Sequence, residues 1–233
     1  IGIRIDTQIK SRGTSFAASD LGLGILYKKI EKIITPNVEG FHNHLASQII
    51  DLKSYNQNAK FLIDLSSKFK VKYLDIGGGF PVHYVGTETP PINSFLNCYK
   101  KWKGKLYLEP GRYLVGPCGK LLTKVLEDNG AVVIINASLF NSIRDRILSV
   151  YKIQLPILEK GNSIRKVVGN SSSSSDFFGV YKLRKNTKML TFLQAGAYCI
   201  SDDKFTGIKK TKEYILIDGK IKKVFKYGKT NLL

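Results

Sequence analysis

The sequence predicts an α/β fold that gives way to a β-rich half, and three features predict it. Over residues 1–112, short apolar runs and an amphipathic segment alternate in strand, helix, strand order, as in parallel α/β folds. Two successive strand-like runs, Lys72–Ile76 and Lys105–Leu108, end in Gly77-Gly78-Gly79 and Glu109-Pro110-Gly111-Arg112. Ligand-type residues at one edge of successive parallel strands are where α/β barrels place their sites. From about residue 113 the composition changes to β-like runs separated by Gly, Asn and Asp turns.

In chain order, Ile1-Gly2-Ile3-Arg4-Ile5-Asp6 alternates as a strand does, with Arg4 either aimed into a pocket or a solvent-facing edge charge. Thr14–Asp20 is small and polar, and Leu21–Ile34 has apolar residues at helical spacing with lysines opposite, which predicts a surface helix. Val38–Phe41 reads as the next strand and leads into His42-Asn43-His44-Leu45-Ala46-Ser47-Gln48. His42 and His44 share a strand face and could bind metal together, but no Cys or Asp stands within the motif and Glu39 would point away, so no metal site is expected. His44 could instead lay its ring on an aromatic ligand with Ser47 donating to a phosphate; ordinary half-buried histidines are the alternative. Residues 56–70 form an amphipathic helix carrying Phe61, Leu62, Leu65 and Phe69 on one side, and a further helix is expected over Phe95–Trp102. In the second half, Leu121–Leu126, Ala131–Ile135, Ile164–Val168 and Tyr214–Ile217 read as strands, and Asp218-Gly219 marks a hairpin.

Three consecutive glycines free a turn for conformations closed to other residues and let backbone N–H groups approach an anion such as phosphate. A tight turn without a ligand fits the same residues. A buried carboxylate at Glu109 needs a partner, for which a protonated ring nitrogen would serve, and Arg112 offers a planar fork suited to phosphate. A structural Glu109–Arg112 salt bridge is the alternative.

Over 233 residues, 43% hydrophobic content is ample for a sizeable core. The formal charge of +19 is spread along the chain without interleaved aromatics, which argues against a dedicated nucleic-acid surface and leaves a phosphate-bearing or acidic small ligand as the natural beneficiary. Cys98, Cys118 and Cys199 are too few and scattered for a disulfide framework or zinc site, and a reducing cytoplasm is the simplest setting. No apolar run reaches membrane-spanning length and no signal peptide is visible. The chain opens at Ile1 inside a strand-like run, so an N-terminally truncated segment is expected, with any targeting signal upstream.

Four ordered motifs carry a resemblance: Gly40-Phe41-His42-Asn43-His44-Leu45-Ala46-Ser47-Gln48, Leu74-Asp75-Ile76-Gly77-Gly78-Gly79-Phe80, Leu108-Glu109-Pro110-Gly111-Arg112 and Ala195-Gly196-Ala197-Tyr198. Together they resemble the fold-type III pyridoxal-phosphate decarboxylases, which act on ornithine, diaminopimelate, arginine or carboxynorspermidine. The resemblance implies a partial (β/α)8 TIM-type barrel over residues 1–112, a C-terminal antiparallel β-domain over 113–233 carrying substrate and interface loops, and a head-to-tail homodimer with active sites at the interface. It implies that His44 stacks on the pyridine of pyridoxal 5′-phosphate, that Ser47, Gly77, Gly78, Gly79, Gly111, Arg112 and Tyr198 hold its phosphate, that Glu109 pairs with its ring nitrogen, and that Arg4 lies near it. Decarboxylation leaves a carbanion at Cα, and a negative Glu109 would keep the ring nitrogen protonated so that the ring can take up that charge.

Two departures bear on activity. The family's imine-forming lysine lies on an early barrel strand, which would place it upstream of Ile1. The family's loop Gly-Pro-x-Cys-Asp/Glu-Ser-x-Asp stands here as Gly169-Asn170-Ser171-Ser172-Ser173-Ser174-Ser175-Asp176, with Ser172 at the place of the proton-donating cysteine and Ser173 at that of the acid that reads the substrate amine. A hydroxyl is a far weaker acid than a thiol, so proton delivery would slow or pass through water. Asp176 is expected at the substrate or as a cap for the next segment. Asn136–Arg144 is similar to the diaminopimelate branch's Asp-Ala-Gly-Met-Asn-Asp-Leu-Ile-Arg, so Arg144 would contact a substrate carboxylate or be a surface charge. The function expected is decarboxylation of a basic or unusual amino acid of polyamine or lysine metabolism. The alternatives are a catalytically impaired relative serving as a regulatory subunit, and a basic nucleic-acid-binding protein.

Overall fold

The computed structural model describes residues 1–11, 22–148, 153–199 and 212–223. The first sheet is built from β1 (Gly2–Asp6), β2 (Ile25–Leu26), β3 (Gly40–His42), β4 (Tyr73–Asp75) and β5 (Lys105–Tyr107), all parallel, in the order β2-β1-β3-β4-β5. Register fixes which residues share a face. Arg4 stands opposite His42, His42 opposite Asp75, and Asp75 opposite Tyr107, while one step earlier Gly2, Gly40, Tyr73 and Lys105 form a row on that same face. The residues between them, Ile3, Ile5, Phe41, Leu74 and Leu106, point the other way into an apolar core.

That core is closed by α1 (Leu52–Phe69) and α2 (Ile92–Asn97). The Asp51 side chain accepts from the N–H groups of Lys53 and Ser54, so α1 starts ahead of its periodic apolar stretch, and it ends at Lys70 with φ +54. Tyr55 meets Phe95 edge to face at 4.9 Å between centroids, and Leu62 is fully buried. α2 sits nearer the N-terminus than the expected Phe95–Trp102, because Pro91 at its N-cap sets an early start. The surface helix expected over 21–34 is replaced by β2 and a 3₁₀ segment, Tyr27–Lys32. Gly22 and Gly24 there take φ of +62 and +116, which a helix cannot accommodate. Leu21 and the Thr14–Asp20 stretch lie outside the described residues.

α3 (Gly111–Val115) then leads to the second sheet, formed by β6 (Leu121–Asp128), β7 (Val132–Ile135), β8 (Lys160–Val168), β9 (Phe177–Leu183) and β10 (Met189–Phe192) in the order β10-β6-β7-β8-β9. It is antiparallel apart from the parallel pair β7 and β8. α4 (Leu139–Ser142) and α5 (Arg144–Leu148) follow β7. A separate hairpin, β11 (Tyr214–Ile217) and β12 (Lys220–Lys223), turns at Asp218-Gly219. The second core includes Ile135, Leu139, Val167, Phe178, Leu190 and Phe192, and also Val82 and Tyr84 from the loop after the glycines. That loop therefore stitches the two halves together. No helix among the described residues is long and apolar enough to cross a membrane.

Candidate active site at the exits of the parallel strands

The polar face of the first sheet gathers the predicted residues at its C-terminal edge. Arg4, His42 and Asp75 come from neighbouring strands in register, and His44 and Glu109 extend the same face beyond β3 and β5 by alternation. Beneath them Tyr73 lays its ring across Gly40 and its hydroxyl toward Gly2, so bare backbone at both positions makes room for one aromatic floor. Arg4 is half-buried, not an edge charge, and its Nε is buried with no acceptor among the described residues.

His44 is fixed by the glycine turn. Its Nδ1 accepts from the N–H of Gly78 at 3.2 Å, so the neutral ring carries its proton on Nε2. Burial lowers its pKa below the ordinary 6.5, and Arg4 and His42 lower it further against the opposing pull of Glu109 and Asp75. The glycines are needed for packing as well as for access. A Cβ at Gly77 would stand 2.9 Å from the Asn43 carbonyl oxygen, and at Gly78 and Gly79 it would overlap the carbonyl oxygens of Glu109 and Ala46. Their N–H groups are not an open nest either, since Gly77 donates to Asp75 Oδ1 at 2.9 Å and Gly78 to His44. The strand exits interlock directly: Glu109 N–H donates to Gly77 O at 2.8 Å, and Gly111 N–H to Glu109 O at 2.8 Å.

Glu109 departs from the expected burial, with its side chain 58% exposed. β5 is the edge strand of the sheet, so among the described residues no further strand pairs on its far side to cover the carboxylate. The His42 ring stands beside it at 3.8 Å from Nε2 to Oε2, and it forms no bridge with Arg112. His42, Asp75 and Glu109 place one ligand atom each within 4.8 Å of one another. This trio differs from the His42 and His44 pair weighed from spacing. Asp75 in it is already engaged by Gly77, and the trio reads as a polar network around the strand exits.

Arg112 forms a second, buried corner. Only 4% of its side chain is exposed; Nη1 donates to Tyr84 Oη at 2.8 Å, and Nη2 to Asp145 Oδ2 at 2.7 Å and Ser47 Oγ at 3.4 Å. The Tyr198 ring, 54% exposed at the residue level and held by a φ of +57, covers the guanidinium at 4.5 Å. Burial works against the charge, but Tyr84 and Asp145 outweigh it and hold the guanidinium above its ordinary pKa. Nε is buried without an acceptor among the described residues. Burial also pushes the nearby Cys199 thiol up to about 12, with Asp145 adding to the effect, so it is inert. Tyr84 and Asp145 were not legible as site residues: neither lies in a motif, and each reaches Arg112 only through tertiary packing.

In the serine loop Ser172 is exposed and Ser173 partly so, its Oγ accepting from Ser175 N–H at 3.2 Å. Asp176 is 2% exposed; Oδ1 accepts from Leu139 N–H at 2.8 Å and Oδ2 from Ser171 N–H at 3.1 Å. Both oxygens are thus used from inside the chain, by the start of α4 and by the serine loop and not by the segment that follows, so Asp176 serves as a cap to earlier residues instead of to the next segment. Arg144 opens α5; its side chain lies outside the described residues.

Residues 8–116 match the family model described as the pyridoxal-dependent decarboxylase, pyridoxal binding domain. Over those residues the chain is similar to the fold-type III pyridoxal-phosphate decarboxylases. It is 26% identical to the diaminopimelate decarboxylase of Aquifex aeolicus, aligning over 97% of this chain and 61% of that protein. It is 29% identical to the Haemophilus influenzae diaminopimelate decarboxylase over 83% of this chain and 51% of that one. Among solved structures, the Helicobacter pylori diaminopimelate decarboxylase complexed with L-lysine superposes with a TM-score of 0.78 at 23% identity, covering 96% of this chain and 63% of that one. The Campylobacter jejuni carboxynorspermidine decarboxylase complexed with norspermidine gives 0.69 at 19%, covering 96% and 65%. The chain therefore spans just under two thirds or less of the length of these relatives.

Pyridoxal 5′-phosphate is the cofactor of this decarboxylase family. The residues fit it on two observations: the buried Nε atoms of Arg4 and Arg112 offer donors without acceptors among the described residues, and His44 presents a neutral ring whose orientation Gly78 fixes. The cofactor's pyridine ring, when bound, draws electron density from the carbon that loses its carboxylate.

Proposed function

We propose that this chain carries the chemistry of an amino-acid decarboxylase, with the barrel portion ending near residue 112 and a β-domain following. The observation that carries this is the convergence of Arg4, His44 and Glu109 at the strand exits, next to the buried Arg112 corner. In this reading Glu109 accepts the ring-nitrogen hydrogen bond and keeps that nitrogen protonated, while His44 supports the ring face. Being neutral and short of a second charge, His44 adds no repulsion to a protonated ring. Arg112, Ser47 and Tyr198, with the backbone N–H of Gly79, anchor the phosphate, the N–H groups of Gly77, Gly78 and Gly111 being spent on Asp75, His44 and Glu109, and Arg4 lies alongside.

The substrate is proposed to be a basic or unusual amino acid of lysine or polyamine metabolism, in keeping with the diaminopimelate and carboxynorspermidine decarboxylases that the chain resembles. Arg144 and Ser173 are the residues proposed for its far end. Assembly as a homodimer in the cytoplasm belongs to the same proposal; an exposed Ser172 is suited to serving a partner subunit's site, and the three cysteines are free thiols. The second reading, a weakened enzyme, draws on Ser172 itself, whose hydroxyl is a poor proton donor.

Carbon dioxide release from a panel of amino acids, measured on the full-length protein with pyridoxal phosphate, tests both. Turnover that Glu109→Ala abolishes while cofactor is retained supports the enzyme. No release from any substrate, combined with a gain in Ser172→Cys, supports the weakened relative. Activity untouched by Glu109→Ala removes the mechanism.

A further inference from the structure

The guanidinium of Arg112 is used in an uneven way. Its Nη1 edge is fixed by Tyr84 Oη and its face by the Tyr198 ring, so the side chain is immobilised without help from any carboxylate. The remaining edge, formed by Nε and Nη2, is the one from which arginine takes a bidentate anion. Here one carboxylate oxygen, Asp145 Oδ2, sits on Nη2 at 2.7 Å, while Nε beside it is buried and lacks an acceptor among the described residues. Ser47 Oγ reaches the same Nη2 at 3.4 Å. Asp145 belongs to the first turn of α5, on the far side of the chain's composition change from Arg112.

We propose that Asp145 is a built-in anion that closes the phosphate corner and must leave when a phosphate monoester binds. A phosphate can reach Nε and Nη2 together and accept from Ser47, whereas Asp145 as placed satisfies only one of the two guanidinium donors. The exchange breaks the ion pair between Asp145 and Arg112, so arrival of the anion is coupled to the segment that Arg144 opens. The identity of the anion rests on the cofactor reading above; the competition at Arg112 does not.

The test uses the full-length protein and three probes: inorganic phosphate, pyridoxal 5′-phosphate and pyridoxal. Calorimetric titration should show Asp145→Asn binding inorganic phosphate at least about tenfold more tightly than the parent, as expected when a competing buried charge is removed. Pyridoxal, which has no phosphate, should be indifferent to the change. Equal or weaker phosphate binding by Asp145→Asn overturns the proposal and makes Asp145 a brace. Should that variant fold poorly, hydrogen exchange on the parent decides: phosphate should speed amide exchange across residues 144–148, and slowed or unchanged exchange there refutes the exchange of partners. If the Asp145 effect appears with inorganic phosphate while pyridoxal phosphate binds no more tightly than inorganic phosphate, the gate stands and the cofactor reading falls. If pyridoxal phosphate binds but ignores Asp145→Asn, the reverse holds.

Discussion

Replacing Gly79 by alanine tests whether the glycine turn is packed as described. Gly79 has φ +88, a region where an L side chain costs about 1–2 kcal/mol. Its Cβ would also overlap the carbonyl oxygen of Ala46 and crowd Ile49 Cδ1, at separations below the 3.0 Å that real Cβ atoms respect. The overlap is with backbone, which cannot rotate away, so an overpacking cost of about 1–3 kcal/mol adds to the strain. The sum is about 2–5 kcal/mol. For a domain of this size each kcal/mol moves the melting temperature by about 2–4 °C, so Gly79→Ala should melt roughly 4–20 °C lower. Gly86 provides the control: its φ is +76, but a Cβ there meets nothing within 4 Å, so Gly86→Ala should show the strain alone. Circular-dichroism melts of both variants against the parent make the comparison. Equal destabilisation by the two substitutions would mean that the Ala46 contact is absent and the turn is looser than described.

Two further outcomes follow from the site. Asp176→Asn should cost about 1–3 kcal/mol in urea unfolding, because an amide can accept from only one of the two backbone N–H groups now held and turns a donor toward the other; a neutral result would mean the carboxylate is not seated between α4 and the serine loop. His44 has a pKa depressed in the fold, so its neutral form stabilises the protein fully above the ordinary 6.5, and that contribution is lost as pH falls through the lower folded value. Stability of the parent should therefore decline from about pH 7 toward pH 5 more steeply than that of His44→Gln, and parallel pH profiles would remove His44 as the group responsible.

Local chemistry made much of this legible. The glycine run, the acid-proline-glycine-arginine corner and the paired histidines all stand at strand ends, where alternation alone predicts the face they share. The Asp218-Gly219 hairpin and the strands around 121–135 were likewise readable from turn residues and β-branched runs. What could not be read depended on contacts between distant segments. The exposure of Glu109 follows from β5 lying at the sheet edge, which no local pattern encodes. Arg112 finds Asp145 and Tyr84 through packing of the two halves, so spacing pointed to Glu109 instead. β9 and β10 are hard to read because two of their three exposed positions, Val180 and Met189, are apolar and blur the alternation, and the 3₁₀ segment at Tyr27–Lys32 carries helical spacing that two left-handed glycines overrule.

The floor beneath the site has an evolutionary corollary. One phenol spans the width that three side chains would normally share, with Gly40 directly under it and Gly2 at its tip. Enlarging either glycine alone collides with the ring, and trimming Tyr73 alone opens a hole below Arg4 and His42. Depth at this end of the barrel can thus be altered only by compensating pairs of substitutions, and any sequence change at position 40 should be found together with a smaller residue at 73.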